Sequence, residues 1–384
     1  MNIEQLAEKQ MFKERFETLL GISPDKAIHV PPQLGTDREN YVSNARHVID
    51  YIVRQRNIRG PNSVVILDLN SECLDWAFLH YSDIIVRELV TVHSFNYDNI
   101  IYITSAADVE MNRRNYYKYC IENNWMPLRI KYINTWEGSQ AQHINLRDGI
   151  EFVANPNPAK KFVFMNRGPR PHRIYLLCEL IKRDLIKDCF LSFNTTKEII
   201  PDYLHMDSHM PGLSKLMEEQ LPKIVDQLPI NLTLDENHTN SLHVTEEEEY
   251  LYKDSLFALV AETQFMSSRV LADPSMRDLG HRPPGPFLTE KTWKILRVKH
   301  PLVLASTPFC LQALRELGYK TFHPFIDETY DTIEDDMERI NAVIAEVERL
   351  CSMSEEDTIQ WLKDVQPICE HNYSVLKNRP FAIK

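Results

Sequence analysis

Three short segments of the sequence carry residue types that bind a phosphorylated ligand. The first is Pro286–Ser306, in which a favourable helix N-cap precedes an acid and a base: Thr289, Glu290 and Lys291. A helix N-terminus presents free N–H groups and the positive end of the helix dipole, and Lys291 adds a full charge there. Glu290 can accept hydrogen bonds from two vicinal hydroxyls, such as those of a ribose. The alternative is an ordinary capped surface helix with a Glu–Lys pair.

The second segment, Phe162–Leu185, gathers cations at a turn. A predicted strand ends at Met165, and a polar turn leads into a helix that starts near Pro171. Four cationic or partly cationic residues cluster at this turn: Arg167, Arg170, His172 and Arg173. Because arginine grips diphosphate oxygens with a planar fork, the cluster predicts a diphosphate site. A solvated basic turn is the alternative.

The third segment, Phe257–Phe265, is a predicted buried strand that ends in Glu262. A carboxylate at the C-terminal end of such a strand faces the ligand side of a parallel sheet. Glu262 is therefore predicted to bind a sugar or a ribose. The alternative is a helix-capping residue that pairs with a nearby arginine.

The elements that must position these residues alternate between strands and helices. Apolar β-branched runs predict strands over Ser63–Leu69, Asn99–Thr104 and Leu128–Ile133, and helical periodicity lies between them over Trp76–Val90 and Met111–Asn124. This alternation predicts a parallel sheet with crossover helices.

A second alternation follows the proline-containing stretch Ala154–Lys161, which has no apolar periodicity and predicts a linker. Its predicted elements are strands over Phe162–Met165, Phe257–Ala261 and Leu302–Ala305, with helices over Ile174–Arg183, Thr332–Leu350 and Asp357–Asp364. The fold class is therefore predicted as α/β, with a Rossmann-like domain over residues 1–157 and another over 158–384. Two such domains place the carboxyl ends of both sheets at a shared cleft.

Composition excludes several functional classes. The 384 residues carry a net charge of −12, which lowers the expectation of nucleic-acid binding, although Arg113–Tyr119 interleaves basic and aromatic residues. The seven scattered cysteines form no CxxC pair, and neither a metal-binding histidine spacing nor a GxxxxGK[ST] loop occurs.

No apolar run is long enough for a membrane span, and the N-terminus has no signal-peptide pattern. We expect a cytoplasmic protein, in the host cytoplasm if it is viral.

The three segments, in this order, resemble the donor half of the alpha-1,3-fucosyltransferases and of related fucosyltransferase-like proteins of bacteriophages. Asn166 and Arg173 match the polar turn and Arg-bearing helix of that group, Glu262 its strand-ending glutamate, and Thr289, Glu290 and Lys291 its helix start. The resemblance covers roughly residues 162–339 and implies a two-domain fold of the GT-B type. It also implies that Arg173 and Lys291 hold a donor diphosphate and that Glu290 holds the ribose.

This resemblance implies a glycosyltransferase that moves a sugar from a nucleoside diphosphate to a hydroxyl. The acceptor and the catalytic base are expected in the N-terminal domain, with Glu72 as the first candidate base and Asp68 as the second. A carboxylate there takes the proton of the attacking hydroxyl in an inverting transfer. No Asp-x-Asp triplet occurs, so side chains rather than a metal are expected to stabilise the leaving diphosphate, without any cofactor.

The expected acceptor is a glycan. One alternative is a hydroxymethylated pyrimidine in phage DNA, which also presents a primary hydroxyl. A further alternative is a non-catalytic nucleotide-sugar-binding protein that has kept the donor domain and lost the base. Glu262 is followed here by Thr-Gln where the fucosyltransferase pattern has Asn, so the chain departs from that pattern directly after its strand-ending glutamate.

Overall fold

The chain is an α/β protein with two parallel sheets, and its computed structural model describes residues 20–30, 41–69, 76–146, 155, 157–166, 168–194, 210–230, 248–265 and 285–379. It divides into two compact units, the first built mainly from residues up to Thr135 and the second mainly from Trp136 onward. Within the described ranges, no helix is both long and apolar enough to cross a membrane.

The first unit contains a four-stranded parallel sheet in the order β1-β2-β3-β4. Its elements are β1 (Ala27–Val30), α1 (Tyr41–Arg59), β2 (Val64–Leu69), α2 (Trp76–Thr91), β3 (Ile100–Thr104), α3 (Glu110–Glu122) and β4 (Arg129–Tyr132). The predicted strands and helices of this half are confirmed to within a few residues. Spatial order follows chain order throughout, so this sheet has no reversal among its described strands.

Both faces of the first sheet are buried, as a parallel sheet with crossover helices requires. Alternate residues of β2 point to opposite sides. Val65 and Leu67 belong to a core cluster that includes apolar residues of α1 and α2, whereas Ile66 packs in a second cluster with Ile101 and Ile103. The β-branched run of β2 therefore forms a central strand because both of its faces are covered.

The second unit contains another four-stranded parallel sheet, in the order β6-β5-β7-β8. Its elements are α4 (Thr135–Leu146), β5 (Phe162–Asn166), α5 (Pro171–Lys182), β6 (Cys189–Phe193), α6 (Leu213–Gln220), α7 (Glu249–Lys253), β7 (Phe257–Ala261), α8 (Glu290–Arg297), β8 (Leu302–Ala305), α9 (Cys310–Glu316), α10 (Asp336–Cys351) and α11 (Glu355–Lys377). The first residue of α4, Thr135, belongs to the first unit, and the rest of that helix belongs to the second. The chain moves from β5 to β6 on one side, then crosses to β7 on the other. Strand order thus reverses between β5 and β7, and the carboxyl ends beside such a switch point are where open α/β sheets bind ligands.

Helices α5 and α8, which lie beside this switch point, are packed against neighbouring helices. Pro171 occupies the first position of α5, where its missing N–H costs nothing. From His172 to Ile181 every residue of α5 is buried, and α6 and α10 pack against it. On α8, Trp293 and Leu296 are buried as predicted, and α11 packs against this helix. Both helices therefore have fixed N-termini.

The stretch predicted as a linker is tied to the second unit. Asp254, which follows α7, accepts hydrogen bonds from the side chain of Asn155 at 2.8 Å and the backbone N–H of Ala159 at 3.0 Å. The backbone N–H of Lys160 donates to the carbonyl of Asp254 at 3.2 Å. These bonds fix the chain just before it enters β5.

Candidate functional site

The carboxyl edge of the second sheet collects the predicted donor-site residues. The four strands end there at Asn166 of β5, Phe193 of β6, Ala261 of β7 and Ala305 of β8. Because α5 follows β5 and α8 precedes β8, both helices begin at this edge. The edge therefore combines four strand ends with the N-termini of α5 and α8, whose N–H groups and dipoles favour an anion.

Asn166 is the polar residue at the end of β5. Its side chain is only 3% exposed, and neither its amide nitrogen nor its amide oxygen has a hydrogen-bonding partner in the part of the chain that the structure describes. Its backbone carbonyl accepts from the N–H of Asn194 at 3.0 Å. Buried amides are ordinarily hydrogen-bonded, so this one is a candidate contact for a polar ligand.

Arg173 joins the start of α5 to the end of β7. Its guanidinium donates to three backbone carbonyls, those of Gly168 at 2.9 Å, Ala261 at 3.1 Å and Glu262 at 3.2 Å. Its Nε is buried and has no partner among the described residues. Burial, with a smaller effect from Arg170, lowers the pKa of Arg173 to about 10, so it stays charged at neutral pH. Arg173 thus brings a cation to the switch point.

The other members of the cationic turn differ from one another. His172 is buried, its Nε2 lies 3.0 Å from the carbonyl of Glu262, and its ring stacks on Phe265. Burial holds the pKa of His172 well below its ordinary value, so the ring is neutral and does not add to the positive charge of the turn. Arg170 is exposed at the N-cap position of α5. Arg167 lies outside the described residues.

The carboxylate of Glu262 is fully buried and is bound by the start of α8. Its Oε1 accepts from the backbone N–H of Thr289 at 2.9 Å and the hydroxyl of Thr292 at 2.7 Å. Its Oε2 accepts from the hydroxyl of Thr289 at 2.5 Å and the backbone N–H of Thr263 at 3.1 Å. A carboxylate has about four lone-pair sites, and all of them are filled by groups of the chain itself.

Lys291 and Glu290 are partly exposed charges at the start of α8. The side chain of Lys291 is 23% exposed and that of Glu290 is 12% exposed. The ammonium of Lys291 donates to Glu290 Oε1 at 2.7 Å and to the hydroxyls of Thr289 and Thr263, both at 3.2 Å. The N-cap predicted at Thr289 is present, since its hydroxyl accepts from the backbone N–H of Lys291 at 3.4 Å.

Glu262 links the two predicted diphosphate ligands. Arg173 donates to its backbone carbonyl, whereas its carboxylate holds Thr289, which in turn contacts Lys291. Asp68, the second candidate base, belongs to the first unit. Asp68 lies on β2 opposite Ile103, one residue before the carboxyl end of the strand. Glu72 lies outside the described residues.

Arg339 lies beside the carboxyl ends of β7 and β8 and was not among the residues predicted from the sequence. Its side chain is 1% exposed and donates to the carbonyls of Ser306, which follows β8, and Phe265, which follows β7. It also donates to Asp336 at 2.5 Å and lies over the Phe265 ring at 4.4 Å. One signal was available, because Arg339 falls on the apolar stripe of α10 with Val343.

Replacing Arg339 by Met is expected to lower the free energy of unfolding by about 3 kcal/mol, because the buried carbonyls of Ser306 and Phe265 then lose their donor. Urea denaturation measures the change. Lys215→Met is the control, since its pair with Glu219 is exposed and its loss is expected to cost less than about 0.5 kcal/mol. Equal effects of the two substitutions would show that Arg339 does not stabilise the segments that follow β7 and β8.

Comparisons with known proteins leave the function open. No protein-family model matches the sequence, and no curated protein matches it. Among solved structures, the fold is similar to a UDP-forming alpha,alpha-trehalose-phosphate synthase from Burkholderia xenovorans, at 12% identity and a TM-score of 0.41 over 89% of this chain and 78% of that one. It is also similar to a glycosyltransferase from Rickettsia africae ESF-5, at 11% identity and a TM-score of 0.26 over 96% and 94%. At such low identity, the residues at the carboxyl edge of the second sheet are what bears on function.

Proposed function

We propose that the chain is a glycosyltransferase and that the carboxyl edge of its second sheet binds the diphosphate and ribose of a nucleotide-sugar donor. The reaction transfers the sugar to a hydroxyl, with a glycan as the proposed acceptor, and inverts the anomeric carbon. The resemblance of this half to fucosyltransferase-like donor domains supports the same assignment.

The observation that carries the proposal is a pair of buried polar groups without hydrogen-bonding partners at the switch point. The amide of Asn166 and the Nε of Arg173 are both buried without partners in the described part of the chain. They lie at the edge where α5 and α8 begin, and Lys291 lies at the start of α8 with part of its side chain exposed. Such a set of neutral and charged donors suits the oxygens of a diphosphate.

In the proposed mechanism this edge stabilises the leaving group. Negative charge grows on the diphosphate as the bond to the sugar breaks, and fixed donors there lower the barrier without having to reorganise. Arg173 and Lys291 supply the positive charge, and Glu290 accepts hydrogen bonds from the ribose hydroxyls. Glu72, or Asp68 in its place, takes the proton from the acceptor hydroxyl.

A screen of nucleotide sugars tests the proposal. The purified chain is incubated with each of a panel of uridine, guanosine, cytidine and thymidine diphosphate sugars together with glycan acceptors, and thermal shift and release of nucleoside diphosphate are recorded. At least one donor is expected to raise the melting temperature and to be turned over. Stabilisation without turnover on any acceptor would indicate a non-catalytic binding protein. No stabilisation by any donor would contradict the donor site.

Transfer is expected to survive chelation of divalent metals. The sequence has no Asp-x-Asp triplet, and Arg173 and Lys291 supply the charge that a metal provides in metal-dependent transferases. Initial rates in excess EDTA are expected to stay within about twofold of those in buffer. Complete loss of transfer in EDTA, restored by added manganese, would refute this account of leaving-group stabilisation.

A further inference from the structure

We propose that Glu262 is a positioning residue, which sets the hydroxyl of Thr289 and through it the ammonium of Lys291. This replaces the direct contact with a sugar or ribose that the sequence predicts for Glu262. The inference rests on the proposed function in one respect, namely that Lys291 is the ligand of the donor diphosphate.

The hydrogen bonds of Glu262 leave it no acceptor site for a ligand. Each carboxylate oxygen already accepts two hydrogen bonds from the chain, at 2.5 to 3.1 Å, and the residue is 0% exposed. A ribose hydroxyl would have to displace Thr289 or Thr292, which form the first turn of α8 and its cap. The carboxylate therefore acts on this helix start.

The Thr289 hydroxyl passes the influence of Glu262 to Lys291. A hydroxyl has one proton to donate and two lone pairs that accept. Its proton is used by Glu262 Oε2 at 2.5 Å, so the lone pairs are left for the backbone N–H of Lys291 at 3.4 Å and its ammonium at 3.2 Å. If Glu262 did not take the proton, the hydroxyl could turn it toward Lys291 and repel the ammonium.

Thr263 gives Glu262 a second connection to the same ammonium. Its backbone N–H donates to Glu262 Oε2 at 3.1 Å, and its hydroxyl accepts from Lys291 at 3.2 Å. Lys291 thus lies between two hydroxyls whose residues are both bound by one buried carboxylate. The negative charge of that carboxylate lies at the N-terminus of α8, where the helix dipole favours it.

A double-mutant cycle on nucleoside diphosphate affinity separates positioning from direct contact. The nucleoside diphosphate released from the active donor is titrated by calorimetry into the wild type, Glu262→Gln, Lys291→Met and the double variant. When Lys291 is present, Glu262→Gln is expected to weaken binding about tenfold, since a misplaced Lys291 loses its charge-assisted hydrogen bond to the diphosphate. In the Lys291→Met background the same substitution is expected to change affinity less than about twofold, because the group it positions is gone. Equal losses in both backgrounds would overturn the proposal.

Reactivity of Lys291 provides a readout that does not depend on any nucleotide. Pulsed acetylation with acetic anhydride, followed by peptide mass spectrometry, is expected to label Lys291 several-fold faster in Glu262→Gln than in the wild type, because the hydroxyls of Thr289 and Thr263 no longer hold the ammonium and only its pair with Glu290 remains. Glu346→Gln is the matched control. Its buried carboxylate accepts from the backbone N–H of Asp327 at 3.0 Å and does not touch Lys291, so labelling of Lys291 should match the wild type.

A second pair of variants covers the case in which Glu262→Gln does not fold. Thr289→Val removes the hydroxyl that connects Glu262 to Lys291, and Thr289→Ser keeps it. Faster labelling of Lys291 in the valine variant, largely reversed in the serine variant, supports positioning. Unchanged labelling in both Glu262→Gln and Thr289→Val would overturn it. Failure of the wild type to bind any nucleoside diphosphate would instead contradict the proposed function, and the labelling result would still decide the role of Glu262.

Discussion

Glu72→Gln is expected to lower the single-turnover rate of sugar transfer by about a hundred- to ten-thousand-fold, the usual cost of losing a positioned base. Glutamine keeps the size of the side chain but cannot take the proton of the acceptor hydroxyl. Because the proposed base acts only as the acceptor reacts, donor affinity should be nearly unchanged. Rapid-quench transfer beside donor calorimetry measures both quantities.

Glu290→Ala is the matched contrast to Glu72→Gln. Since Glu290 is proposed to hold the ribose, its loss should weaken donor binding and raise the donor KM. Transfer by Glu72→Gln within about threefold of the parent rate would place the base elsewhere, because this is well short of the loss expected for a base. Asp68, near the carboxyl end of β2, would then be tested in the same way.

Lys291→Met is expected to weaken donor affinity about ten- to a hundredfold, because this loss corresponds to the free energy of one hydrogen bond between charged groups. The rate of transfer should fall as well, because the diphosphate gains charge in the transition state. Lys320→Met is the control, since it removes one positive charge from an exposed position beyond α9. Equal losses in the two variants would mean that overall charge, rather than a contact at α8, governs donor binding.

The sequence predicted the helix start at Thr289 and the strands on either side of it because the local signals agree there. Thr289 caps α8, the apolar positions Trp293 and Leu296 are buried, and Pro301 precedes β8. Strands β7 and β8 begin and end where predicted, since short apolar runs buried on both faces are easily recognised.

The switch point was not predictable, because it depends on a strand with a weak signal. Strand β6 (Cys189–Phe193) lies at the edge of its sheet, is five residues long and includes a serine. Without β6 the remaining strands run in chain order, and no reversal marks β5 and β7 as the ligand-binding pair. Strand β1 (Ala27–Val30), another short edge strand, was missed for the same reason.

The role of Glu262 also lay beyond local signals. The strand was correctly predicted to end just before Glu262, at the carboxyl edge of the sheet. Whether that carboxylate faces a ligand or the helix start depends on hydrogen bonds to Thr289 and Thr292, which are far away in the chain and close only after folding. Of the four residues predicted as cationic or partly cationic at the turn, His172 is neutral for a similar reason, since its burial beside Phe265 lowers its pKa.

A nucleoside diphosphate is proposed to bind with its ribose at Glu290 and its diphosphate at Lys291, whose ammonium lies 2.7 Å from Glu290 Oε1. Periodate-oxidised nucleoside diphosphate, which carries a dialdehyde in place of the ribose diol, tests this most directly. Its aldehyde condenses with a nearby lysine amine with loss of water, and cyanoborohydride reduces the imine to a stable bond that peptide mass spectrometry locates. We expect saturable labelling of Lys291 that excess unmodified nucleotide prevents. Protectable labelling of lysines in the first unit, with Lys291 unmodified, would contradict the account.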